Sequence, residues 1–123
     1  MKRPLKSLPK TIGKGVRLKR TADAEDFFSR LPADATTRVF DALGQWLAHQ
    51  PLRGAQAEVE VDYEDPSWQE LVLELWIDAE GDAWLALWDE LGSVIDEAMA
   101  GFSKSQVDDL DQRFAVHLAS GPF

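Results

Sequence analysis

Residues 59–99 read VEVDYEDPSWQELVLELWIDAEGDAWLALWDELGSVIDEAM and hold four of the chain's five tryptophans, Trp68, Trp76, Trp84 and Trp88. The period of this stretch changes partway along. From Glu58 to Tyr63, the acids Glu58, Glu60 and Asp62 alternate with Val59, Val61 and Tyr63, the mark of a half-buried strand. Glu64-Asp65-Pro66-Ser67 supplies turn residues, and Pro66 cannot donate to a ladder. Leu71, Leu73, Leu75 and Ile77 then share one face of a second strand, with Val72, Glu74 and Trp76 on the other. Two such runs around a short turn predict an antiparallel hairpin.

After Gly81 the period becomes 3.6. Trp84, Leu87, Trp88, Leu91, Ile95, Ala98 and Phe102 fall on one stripe, with Val94 and Met99 at its edges. Asp89, Glu90, Ser93, Asp96 and Glu97 take the opposite side. Asp82 is the expected N-cap and Gly101 the stop. This long amphipathic helix is expected to lie on the hairpin, with Trp84 and Trp88 in the core.

Outward from this unit, Thr21 caps a predicted helix whose first turns carry Asp23, Glu25 and Asp26, where the helix dipole favours acids. Phe27, Phe28 and Leu31 form its apolar side, and Pro32 ends it. A second helix is predicted from about Asp34 to His49, on the spacing of Val39, Phe40, Leu43, Trp46 and Leu47. Toward the C-terminus, Ser103-Lys104-Ser105-Gln106 has capping-box spacing and opens a short helix. Residues 113–119 alternate, with Phe114, Val116 and Leu118 on one side. They also fit a helical face with Val107 and Leu110. A strand is favoured, because two strands alone are marginal. The fold class is therefore α+β: two N-terminal helices, an antiparallel hairpin that a C-terminal strand extends to three, and one long helix packed on it.

Composition bounds the rest. The 123 residues suit one domain, and 45% apolar content suffices for a core. Cysteine is absent, so disulfides and thiolate chemistry are excluded. No apolar run is long enough for a membrane span and no signal peptide is evident, so a cytoplasmic protein is expected. The lack of asparagine and the abundance of alanine suggest a bacterial coding sequence.

The net charge of −9 is unevenly divided. Residues 1–20 carry eight cations and no acid, whereas residues 21–123 carry all 22 acids against five cations. The expectation is a basic flexible arm, 1–20, on a single acidic domain, 21–123, with only Gly15 to Lys19 alternating well enough for a short strand. The arm is read as a solvated tail, with folding back on its own acidic body and binding of nucleic acid as the competing readings. Lys14, Arg17, Lys19 and Arg20 would be the arm's nucleic-acid contacts, through phosphate neutralisation. The strand-helix-helix order of Val16 to Leu47 superficially resembles a ribbon-helix-helix DNA-binding unit. The acidic first helix and the missing Gly-x-Ser turn argue against membership.

No catalytic motif is present, and no phosphate loop; Gly13-Lys14-Gly15 is too short. Two acidic clusters, Asp62/Glu64/Asp65 and Asp78/Glu80/Asp82, would sit at opposite ends of the second strand and cannot share an ion. The second cluster mimics part of a calcium loop with Asp89, but Ala83 stands where glycine is required. No metal or cofactor is assigned.

The leading expectation is a small non-enzymatic interaction protein whose acidic sheet face, Glu58, Glu60, Asp62, Glu74 and Trp76, engages a basic protein partner. Small acidic antitoxins and immunity proteins provide an analogy of charge and size only. A nucleic-acid-associated regulator using the arm is the alternative, and a small enzyme with a Trp-lined pocket a third. A dimer is compatible with all three.

Overall fold

Gly13 and Gly15, at φ 65° and 79°, turn the chain between two strands, β1 (Thr11–Ile12) and β2 (Val16–Arg20). The computed structural model describes residues 7–119. Within that range the basic stretch is no arm. Leu8, Ile12 and Leu18 are buried to 5% exposure or less, and β2 pairs in parallel with a central strand. A boundary at residue 20 would cut through the sheet; residues 1–6 of the expected arm lie outside the described residues. Only Gly15 to Lys19 alternates, and that short signal is the strand β2; the other apolar residues are spaced too widely to show a period, and the glycines are turn formers rather than linker. At Gly13 a Cβ would also stand 3.3 Å from Leu47 Cβ, so the close approach to the helix behind it needs glycine.

Helix α1 (Ala22–Ser29) opens as expected, with the Ala24 amide donating to Thr21 Oγ1 at 3.1 Å. α2 (Ala33–Leu47) follows with no side-chain cap. The hairpin comprises β3 (Leu52–Val61) and β4 (Gln69–Ile77). β3 starts six residues before the expected strand, through Ala55-Gln56-Ala57, which carries little β-propensity but suits a crowded central position. α3 (Gly81–Met99) ends before Gly101, whose φ of 92° provides the left-handed stop. α4 (Lys104–Arg113) carries the capping box of Ser103 and Gln106. β5 (Phe114–Ala119) is the C-terminal strand, the alternative favoured over a continued helix.

The five strands form one mixed sheet in the order β1-β2-β3-β4-β5. Antiparallel pairing joins β1 to β2 and β3 to β4; parallel pairing joins β2 to β3 and β4 to β5. Each parallel pair is linked by two helices, so the hairpin joins two β-α-α-β units. Buried residues of all four helices share one cluster with Leu18, Ala55, Ala57, Leu71, Leu73, Leu75 and Ile77. Val72, fully buried but pointing the other way, is outside that cluster. The helices therefore lie on one face of the sheet. The four β4 residues at its centre should each contribute about 1.5–3 kcal/mol by burial.

The expected packing of α3 on the hairpin needs correcting. α1 lies on β3 and β4, α4 on β4 and β5, and α3 runs along α2. Its buried stripe is narrow: Leu87, Leu91, Ala98 and Met99. Trp84 is only half-buried, and Trp88, expected in the core, is 39% exposed. Asp82 is not the cap either; Glu80 takes that position without a side-chain bond.

Candidate functional site: the acidic sheet face and its hairpin tip

With every helix on one side, the other side of the sheet is free of helical cover among the described residues. Strand alternation puts Glu58 and Glu60 of β3 on it, together with Glu70, Val72, Glu74 and Trp76 of β4. Four of the five expected contact residues, Glu58, Glu60, Glu74 and Trp76, thus share a face. Asp62, the fifth, lies beyond the end of β3 and has a different task. Its Oδ1 accepts from the amides of Glu64 at 2.8 Å and Asp65 at 3.1 Å, so it shapes the turn.

The lateral register sets the neighbours. Glu58 stands opposite Val72, which stands opposite Ala115; Gln56, Glu74 and His117 form the next row. Gln56 Nε2 donates to Glu58 Oε2 at 3.3 Å. Glu60 faces Glu70 directly across the hairpin. Like charges so placed repel, by roughly the 0.2–1 kcal/mol that governs cross-strand pairs. Glu60, Glu70 and Glu74 make no ion pair with any described residue. The described pairs lie elsewhere: Arg20–Glu25, Arg30–Asp26, Arg53–Asp78, Lys104–Asp108 and Arg113–Asp109.

Beyond Glu60 and Glu70 the hairpin tip is held by its own bonds. The Asp62 amide donates to the Trp68 carbonyl at 3.0 Å, and the Trp68 amide to the Asp65 carbonyl at 2.9 Å. Asp65 Oδ1 accepts from the Ser67 amide at 3.1 Å and from Ser67 Oγ. This frame presents Tyr63 at 99% exposure, flanked by Val61 at 52% and Trp68 at 46%. The strand period had placed Tyr63 beside Val59 on a half-buried face. The signal available was the run Glu58 to Asp65, where acids surround one tyrosine ahead of Pro66.

The basic residues divide. Lys14 sits in the β1–β2 turn, and Arg17 and Lys19 point to the helix-free face of β2, all three exposed. Arg20 points the other way and is occupied. Its guanidinium pairs with Glu25 and donates to the carbonyls of Leu8 at 2.7 Å and Pro9 at 2.6 Å. A clamp that fastens the N-terminal segment cannot also serve a phosphate. β2 has neighbours on both edges, β1 and β3, unlike the ribbon of a ribbon-helix-helix unit.

The tryptophans do not pool into one pocket. Trp76 is on the sheet face and Trp68 at the tip, while Trp84 and Trp88 meet edge to face on α3, at 6.3 Å between ring centroids. Trp46 lines a cleft of about 660 Å³ between α2 and α3, with Arg38, Asp41, His49 and Glu97. Its Nε1 donates to Glu90 Oε1 at 3.4 Å. Among the described residues no three acids or histidines gather as metal ligands, and Asp78 of the calcium-like run pairs with Arg53. No described helix is long and apolar enough to cross a membrane. Comparison with protein families, curated proteins and solved structures finds no match to this chain.

Proposed function

We propose that this is a non-enzymatic interaction protein that holds a basic protein partner on the helix-free sheet face and the hairpin tip. The supporting observation is the pairing of opposed, uncompensated carboxylates, Glu60 and Glu70, with a wholly exposed Tyr63 on a self-bonded turn. The repulsion of the pair is relieved by an incoming cation. The acids steer a basic partner and set its register. Tyr63 and Trp68 then provide the aromatic anchors that dominate interface energies, at low ordering cost because the turn is already fixed.

A displayed library of Lys/Arg-rich peptides tests this reading. Binders selected on the full protein should lose at least tenfold in affinity to Tyr63→Ala, and similarly to Glu60→Lys combined with Glu70→Lys. Both variants should melt as the parent does. Selected binders indifferent to both changes, or a failure to enrich any, would sink the proposal. An oligonucleotide arm covers the alternative that Lys14, Arg17 and Lys19 bind nucleic acid, for which binding should fall steeply with salt.

A further inference from the structure

β5 is the last strand of the sheet, and its outer edge bonds to no described residue. Sheets manage such edges with lysine, proline, bulges or covering segments. This strand, Phe-Ala-Val-His-Leu-Ala, has no Lys, Arg, Asp, Glu or Pro, in a chain that is 28% charged. The opposite edge is managed differently: β1 is two residues long and lies against α2. Every second residue of the strand turns its amide and carbonyl to this open edge, so three of the six offer a ladder that another strand can pair with.

We propose that the occupant is a second copy of this chain, with the two β5 strands pairing antiparallel about a two-fold axis at Val116. Directly opposed residues in an antiparallel pair point to the same side of the sheet. With the axis normal to the sheet, both sets of helices stay on one side, and the axis must then pass through a residue. The Val116 register opposes Phe114 to the partner copy's Leu118 and Val116 to its own equivalent, all on the helix side. On the other face it opposes Ala115 to His117, a small residue beside a large one. Moving the axis to His117 would oppose two imidazoles. β5 itself carries no acid, and of the three acids on the adjoining α4, Asp108 and Asp109 are paired with Lys104 and Arg113, so the two strands meet without opposed carboxylates of their own. β4 is parallel to β5 and begins at the hairpin tip, so the two tips stand at opposite ends of one continuous sheet.

Sedimentation equilibrium of the full chain should return twice the mass of one chain in the micromolar range. The cysteine-free sequence permits a direct test of register. In V116C the two thiols are on opposed residues, about 4.5–5.5 Å apart at Cα, within disulfide reach. In A119C they are offset by six residues, about 20 Å. Mild oxidation should link V116C into a dimer that still melts cooperatively, and leave A119C unlinked. If V116C does not fold, A115C mixed with H117C serves the same purpose, since those residues face each other. A wild-type chain that stays monomeric overturns the proposal, as does cross-linking no faster at the paired positions than at A119C.

Discussion

Arg20 shows how one side chain can decide whether a basic segment is tail or structure. Its side chain is 22% exposed, and the guanidinium reaches Glu25 and the carbonyls of Leu8 and Pro9, tying the first described residues to β2 and α1. Hydrogen bonds to charged groups contribute about 1.5–3 kcal/mol each to stability, and the part-buried carbonyls of Leu8 and Pro9 left without a donor add a penalty. Arg20→Ala should therefore cost about 2–3 kcal/mol in a urea melt. Arg53→Ala is the comparison, since its pair with Asp78 leaves both side chains more than half exposed. Exposed pairs contribute little, so that change should stay within about 0.5 kcal/mol. Equal losses would show that the Arg20 clamp does not form. None of this was legible in the sequence, where Arg20 is one of eight cations before the first acid.

At the scale of the element, α3 separates periodicity from burial. Its stripe identifies the helix and its general orientation, but the width of the buried band depends on α2, which periodicity does not describe. Leu91, 3% exposed, and Trp88, 39% exposed, are neighbours on the stripe with unequal roles. Leu91→Ala should cost about 2–5 kcal/mol, the range for a buried leucine. Trp88→Ala should cost about 1 kcal/mol or less. A larger loss for Trp88 in denaturant melts would put the helix back in the orientation that the sequence suggests. Other elements were fully legible because their signals are local. Thr21 and Ser103 cap as their sequences imply. β5 was legible only in part, because Phe114, Val116 and Leu118 alternate but equally share a helical face with Val107 and Leu110, and the strand was preferred only because two strands alone are marginal. The sheet face Glu58, Glu60, Glu74 and Trp76 was readable from period two alone, whereas Glu70 opposite Glu60 needed the register.

For the whole molecule, the hidden information is the order of strands. Two parallel pairings, β2 with β3 and β4 with β5, join residues far apart in sequence, and no local signal announces them. They also carry a chiral consequence. β4 runs opposite to β2, both crossovers step the same way across the sheet, and both keep their helices on the same face. The two crossovers therefore have opposite hands, so one departs from the right-handed rule. The parallel β2–β3 pairing makes the N-terminal segment part of the cooperative unit. Removing residues 1–20 would take away Leu8, Ile12 and Leu18, and with them the edge that covers β3 at Ala55 to Ala57. At about 1.5–3 kcal/mol for each large apolar side chain, the loss is roughly 5–9 kcal/mol before the Arg20 clamp is counted. Whole domains are stable by only about 5–15 kcal/mol. The truncated chain should thus lose its sharp urea transition and most of its near-ultraviolet circular dichroism from the tryptophans. If it keeps both, β1 and β2 are an appendage rather than part of the sheet, and the basic segment is free to act as an arm after all.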